Sequence, residues 1–236
     1  MRRCLDLHIL PQPENLDSCR RIARTLSLAG YSTVGLTLPT GLFRERVAEI
    51  ERAFVDNGVE VVLRIDLTSR SREELLRSLR RFRNAYDIIA VKCVSPRVAQ
   101  VACRDRRVDL VFFDHQNPNL RLSHAMANLL RGALEVNITS TMLKSVSPAV
   151  YASISRELAI ANEHKLKVVL SSGADRPEMI RSPVQIAALA STMGLYERAA
   201  LDGVASAPAI IVEENTKRRS PAYVEEGVRV VSARAK

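Results

Sequence analysis

The chain has 236 residues, 47% hydrophobic and 26% charged, which supplies a sizeable core and excludes a chain that is disordered throughout. Thirty-five Lys and Arg face 26 Asp and Glu, a net charge of +9; such an excess favours polyanionic partners, because each neutralised phosphate releases condensed counterions. Aromatic residues make up only 4% and Trp is absent, which argues against a binder that stacks single-stranded bases and for contacts to RNA backbone and shape.

The opening MRRCLDLHILP is interrupted by Asp6 and His8, so it reads as a first strand, Cys4–Leu10, rather than a secretion signal. No run approaches the roughly 18 apolar residues of a spanning helix, and the expectation is a cytoplasmic protein without membrane contact. Cys4, Cys19, Cys93 and Cys103 lack CxxC spacing and read as buried small hydrophobes in a reducing compartment. Further strand-like runs follow at Ser32–Leu38, Val59–Leu67, Asp87–Val94, Val108–Phe113, Leu134–Ile138 and Lys167–Ser171, with room for an eighth near Gly203–Ala205. Several are almost continuously hydrophobic, as strands covered on both faces must be.

Helical periodicity fills the intervals. Ser71–Arg83 sets Leu75, Leu76, Leu79 and Phe82 on one face and Arg77, Arg80 and Arg81 on the other. Ser123 before His124 and Ser182 before Pro183 read as N-caps, with Gly132 and Gly194 as the matching stops. Alternating strands and helices predict an α/β fold, a TIM-like (β/α) barrel over residues 1–214, followed by a mobile basic tail over 215–236 that carries Lys217, Arg218 and Arg219.

In a parallel barrel the C-terminal strand ends ring the mouth, which here brings together Asp6, His8, Asp66, Lys92, Asp114, His115, Asn137, Ser171 and Ser172. A metal-dependent phosphoesterase built on Asp6, His8, Asp114 and His115 is the alternative this ring allows. Four histidines without an HxH pair weigh against it, and a merely polar mouth is the plainer reading. His164, beside Lys165 and Lys167, reads as a helix-end charge rather than a ligand. No P-loop, GxGxxG or GxSxG is present, so no nucleotide cofactor or serine nucleophile is expected. Basic clusters are the richer signal: Arg70, Arg72, Arg77, Arg80, Arg81 and Arg83, then Arg104, Arg106 and Arg107, then Arg176 and Arg181. Guanidinium is the better bidentate partner for phosphate.

Two segments carry a family likeness. VDLVFFDHQNPNLRLSHAMANLLR, Val108–Arg131, and KVVLSSGADRPEMIRSPVQIAALASTMGL, Lys167–Leu195, together resemble the archaeal and eukaryotic ribonuclease P protein component 3 family, with LEVNIT between them. The resemblance implies a barrel related to the polymerase-and-histidinol-phosphatase (PHP-like) hydrolases but lacking most of their metal ligands. It also implies a non-catalytic subunit of the ribonucleoprotein that removes 5′ leaders from precursor tRNA, in which the RNA cuts with Mg²⁺ and the protein itself holds no cofactor. The implied partners are ribonuclease P RNA, precursor tRNA, and protein component 2 with other protein components. His124, Arg131, Arg176 and Arg181 lie in the matching segments and are the RNA-contact candidates it supplies, while Arg70, Arg77, Arg80, Arg81 and Lys92 are candidates by charge and position.

Overall fold

All seven apolar runs are strands in the computed structural model, which describes residues 3–114, 120–144, 147–220, 223–225 and 228–229. They are β1 (Leu5–Ile9), β2 (Thr33–Thr37), β3 (Glu60–Thr68), β4 (Ile88–Cys93), β5 (Leu110–Phe113), β6 (Ala133–Asn137) and β7 (Val168–Ser171). Each pairs in parallel with the next in chain order. The first and last strands meet through an isolated bridge, Ile9 with Ala174, and the Leu10 N–H donates to the Ala174 carbonyl at 2.8 Å. The result is a nearly closed TIM-like barrel of seven strands.

Helices α1 (Leu16–Ala29), α2 (Arg44–Val55), α3 (Arg72–Phe82), α4 (Pro96–Arg104), α5 (His124–Ala127), α6 (Ile138–Lys144), α7 (Pro148–Glu163), α8 (Pro183–Thr192) and α9 (Glu197–Gly203) follow the strands around the barrel. Local chemistry sets several of their starts. Ser71, Ser95, Ser123, Ser147 and Ser182 each accept an N–H of the first turn, and Ser182 forms a reciprocal capping box with Gln185. The outward strand residues Val34, Leu36, Ile89, Val91, Val111 and Leu134 belong to one core with Ile22, Leu26, Phe54, Leu75, Leu79 and Leu158 of the helices. Inside the barrel a second cluster joins Leu5, Leu7, Ile88, Ala90, Leu110, Phe112, Ala133 and Val169. Both strand faces are therefore sealed, which explains the unbroken hydrophobic runs.

Three expectations are corrected. No eighth strand forms at Gly203–Ala205; α9 ends at Gly203, Val204 and Ala205 turn into the next helix, and the Val204 carbonyl accepts the Leu5 N–H at 3.0 Å. Glu197–Gly203, ERAALDG, is rich in helix formers and contains no β-branched residue to favour a strand. The helix expected from His124 to Arg131 spans only four residues, and Gly132 serves close approach: a Cβ there would stand 2.5 Å from the Asp109 carbonyl oxygen. Finally, the boundary drawn at Asn215 falls inside a last helix, α10 (Ser206–Arg219). Its Ala207 and Ile211 join the interior cluster at the N-terminal end of the barrel, and buried Asn215 donates to the Asp87 carbonyl at 2.9 Å. Beyond it, Tyr223–Glu225 and Val228–Arg229 pair as two short antiparallel strands, β8 and β9.

Candidate nucleic-acid interface

The barrel interior holds a charged knot that sequence reading did not pick out. Arg64 on β3 is fully buried and donates to both Glu135 carboxylate oxygens at 2.5 and 2.6 Å, to Asp66 at 2.6 Å and to the Leu7 carbonyl at 2.8 Å. Ser171 Oγ donates to Glu135 at 2.7 Å, and the guanidinium lies 5.7 Å from the centre of the Phe112 ring. Burial alone would raise the Asp66 carboxyl, but Arg64 and then His8 hold it well below the usual carboxylate range. Burial likewise disfavours the Arg64 charge, and the two carboxylates more than offset it. The signal available in sequence is Arg64 with Asp66 in EVVLRIDLT and a lone Glu in ALEVN, charges set among the apolar residues of strands covered on both faces.

This knot decides the hydrolase alternative. A metal at the mouth needs carboxylates and imidazoles that are not already engaged. Asp66 and Glu135 hold a guanidinium, and Asp6 accepts backbone N–H groups from His8 and Ser172. Burial pushes Asp6 up to about 6, against those hydrogen bonds. His8 sits 2.8 Å from Asn137 Oδ1, and 3.1 Å from Asp66 in a direction outside hydrogen-bond geometry. Asp114 pairs with Lys92 at 2.9 Å, and His115 lies outside the described residues. Among the described residues Asp6, His8 and Asp114 form no cluster of metal ligands, and a hydrolase built on these three does not fit.

Surface cations offer a different picture at the opposite, N-terminal end. Arg106, Arg131, Lys167 and Arg218 converge on a hollow of about 310 Å³, also lined by Val108, Asp109, Gly132, Ile211, Glu214 and Asn215. All four cations are exposed. Asp109 is engaged inward, accepting from Arg83 at 2.7 Å and from the Ile89 N–H at 2.8 Å, which leaves Glu214 as the anion facing them. Arg107 is held by Asp105 and Arg219 by Asp87. Such a basin, floored by the starts of β5 to β7 and walled by α10, suits an array of phosphates.

The other candidates are dispersed. Arg77, Arg80 and Arg81 are exposed on α3 and reach no carboxylate within 4 Å among the described residues; Arg81 rests over the Phe82 ring at 5.0 Å. Arg70 is exposed at the mouth end of β3, its backbone N–H donating to Glu74. Lys92 is ion-paired as described, and exposed Arg176 lies 3.6 Å from Asp175. Arg181 is turned inward on its own loop, donating to the Glu178 and Ile180 carbonyls at 2.8 and 2.9 Å, so its guanidinium braces the turn Pro177–Met179. His124 stands apart from Arg131, against His164. Of the nine candidates only Arg131 enters the basin; Arg106, Lys167 and Arg218 were noticed as charges without a shared address.

The family described as RNase P subunit p30 matches residues 3–220 of the chain. Ribonuclease P protein component 3 of Methanosarcina barkeri is 28% identical over 235 residues, 95% of this chain and 93% of that protein. The protein of the same name from Aeropyrum pernix is 25% identical over 194 residues, 81% of this chain and 88% of its own. A chain in a cryo-EM structure of archaeal ribonuclease P with mature tRNA superposes with a TM-score of 0.81 at 17% identity, covering 98% of this chain and all of that one.

Proposed function

Because the chain belongs to the RNase P subunit p30 family, we propose that it works as a protein subunit of ribonuclease P, binding and stabilising the catalytic RNA while that RNA, with Mg²⁺, removes the 5′ leader of precursor tRNA. The observation that carries the RNA-binding role is the convergence of Arg106, Arg131, Lys167 and Arg218 at the N-terminal end of the barrel. Basic side chains there and divalent cations in solution relieve the same phosphate repulsion, so each compensates for scarcity of the other. Protein component 2 and the cytoplasm belong to the same reading as partner and location. Among the described residues no helix is long and apolar enough to cross a membrane.

The test is reconstitution of the holoenzyme with R106A/R131A/K167A. Activity falls when Mg²⁺ is scarce and recovers as Mg²⁺ is raised. In filter binding to the RNA, the slope of log affinity against log salt becomes shallower by roughly two to three, close to one for each phosphate no longer neutralised. Equal activity loss at saturating Mg²⁺, or an unchanged salt slope, argues that the basin does not hold RNA.

A further inference from the structure

We propose that His124, Glu163 and His164 form a binding site for a divalent transition-metal ion, with Zn²⁺ the best chemical match. The three side chains come from two places in the fold. His124 is the first residue of α5, and Glu163 and His164 end α7. His124 Nδ1 lies 2.9 Å from His164 Nε2 and 3.6 Å from Glu163 Oε1, and one ligand atom from each residue lies within 4.8 Å of the others. Ligand atoms around a tetrahedral Zn²⁺ with bonds of about 2.0–2.1 Å stand roughly 3.3 Å apart, a spacing that the two observed distances bracket. Small rotations of the exposed His124 and Glu163 side chains toward half-buried His164 therefore admit the ion.

The backbone beneath these side chains is well tied. The Asn128 N–H donates to the His124 carbonyl at 3.0 Å, and the His164 N–H donates to the Ile160 carbonyl at 3.0 Å. Lys165, in the left-handed region at φ 51°, turns the chain directly after His164. The side chains of His124 and Glu163 are 59% and 66% exposed, so water completes the coordination shell and the ion exchanges with solvent. Two imidazoles and one carboxylate favour Zn²⁺, Co²⁺ or Ni²⁺ over the oxygen-seeking Mg²⁺ and Ca²⁺. Bound there, the ion would cross-link the segment entering β6 to the end of α7, positions forty residues apart in sequence.

The experiment uses the full chain, stripped with chelator and titrated with Zn²⁺ by calorimetry and with Co²⁺ by visible absorption. The expected result is one ion per chain, d–d bands of low-symmetry Co²⁺, a raised melting temperature with Zn²⁺, and no competition from Mg²⁺ at equal concentration. H124A and H164A each weaken Zn²⁺ by at least about tenfold and the double variant abolishes the bands, whereas E163Q costs less. H124Q/H164Q repeats the double test with better-matched side-chain volume. Absence of stoichiometric uptake, uptake unchanged in either double variant, or uptake removed by C4S instead overturns the assignment.

Discussion

Replacing Arg64 with Met keeps a long apolar stem in the barrel and deletes the charge that four acceptors share. Glu135 is fully buried and loses both guanidinium hydrogen bonds, keeping the Ser171 hydroxyl; Asp66 and the Leu7 carbonyl lose one donor each. Breaking one side of a buried ion pair costs about 3–5 kcal/mol, because the stranded charge stays desolvated. For a chain of this length that corresponds to a drop in melting temperature of roughly 6–10 °C. Urea or thermal denaturation of R64M measures it directly. R64M/E135L removes the stranded charge as well, and should recover at least half the loss, since a buried pair exchanged for apolar groups of similar volume is often close to neutral. A single variant melting within about 2 °C of the parent, or a double variant no better than the single, would refute the view that the knot is one mutually dependent unit. RNA affinity of folded R64M should be unchanged, because the guanidinium is sealed from solvent.

Glu157 on α7 is almost fully buried, and burial pushes its carboxyl up to about 7 against the Leu122 N–H and the Arg121 charge. The folded chain therefore keeps this proton to higher pH than the unfolded chain does. Its stabilising contribution is complete below the ordinary value of 4.5 and is lost as pH rises through about 7. E157Q should accordingly gain stability over the parent at pH 8 relative to pH 5, by up to about 3 kcal/mol, and urea melts giving the same difference at both pH values would contradict this. G132A should destabilise by about 1–3 kcal/mol, because the added methyl meets the Asp109 and Val108 carbonyl oxygens at 2.5 and 2.8 Å rather than a flexible side chain. A melting temperature equal to the parent's would show that this approach can relax freely.

The strands are legible because enclosure on both faces forces their composition. A run such as LVFF can end up only where helices cover one side and other strands' side chains the other. Serine caps mark several helix starts because a side-chain oxygen satisfies an N–H the helix itself leaves open. What composition cannot convey is how the ring closes. The missing eighth strand depends on α9 lying against β7 and on a single bridge between Ile9 and Ala174, contacts between positions far apart in the chain. The fold-back of α10 is hidden for the same reason: KRR after Asn215 reads as a charged tail until Ala207 and Ile211 are seen against the barrel interior.

The charged residues divide by where the barrel puts them rather than by type. Inside, Arg64 is matched by Asp66 and Glu135, so the interior contributes nothing to the positive field outside. At the N-terminal end the loops entering β5, β6 and β7 bring Arg106, Arg131 and Lys167 side by side, because parallel strands put every entering loop at one end. That part of the basin follows from the strand assignment alone, since each of these residues stands just ahead of a strand. Arg218 does not, since its place depends on α10. Arginines are densest on α3, where three share one helix face; cations from separate loops converge on the basin, where they must be held together against their mutual repulsion. Like charges gathered by a fold at a cost in repulsion imply an anion to relieve it, and an RNA backbone supplies a row of them.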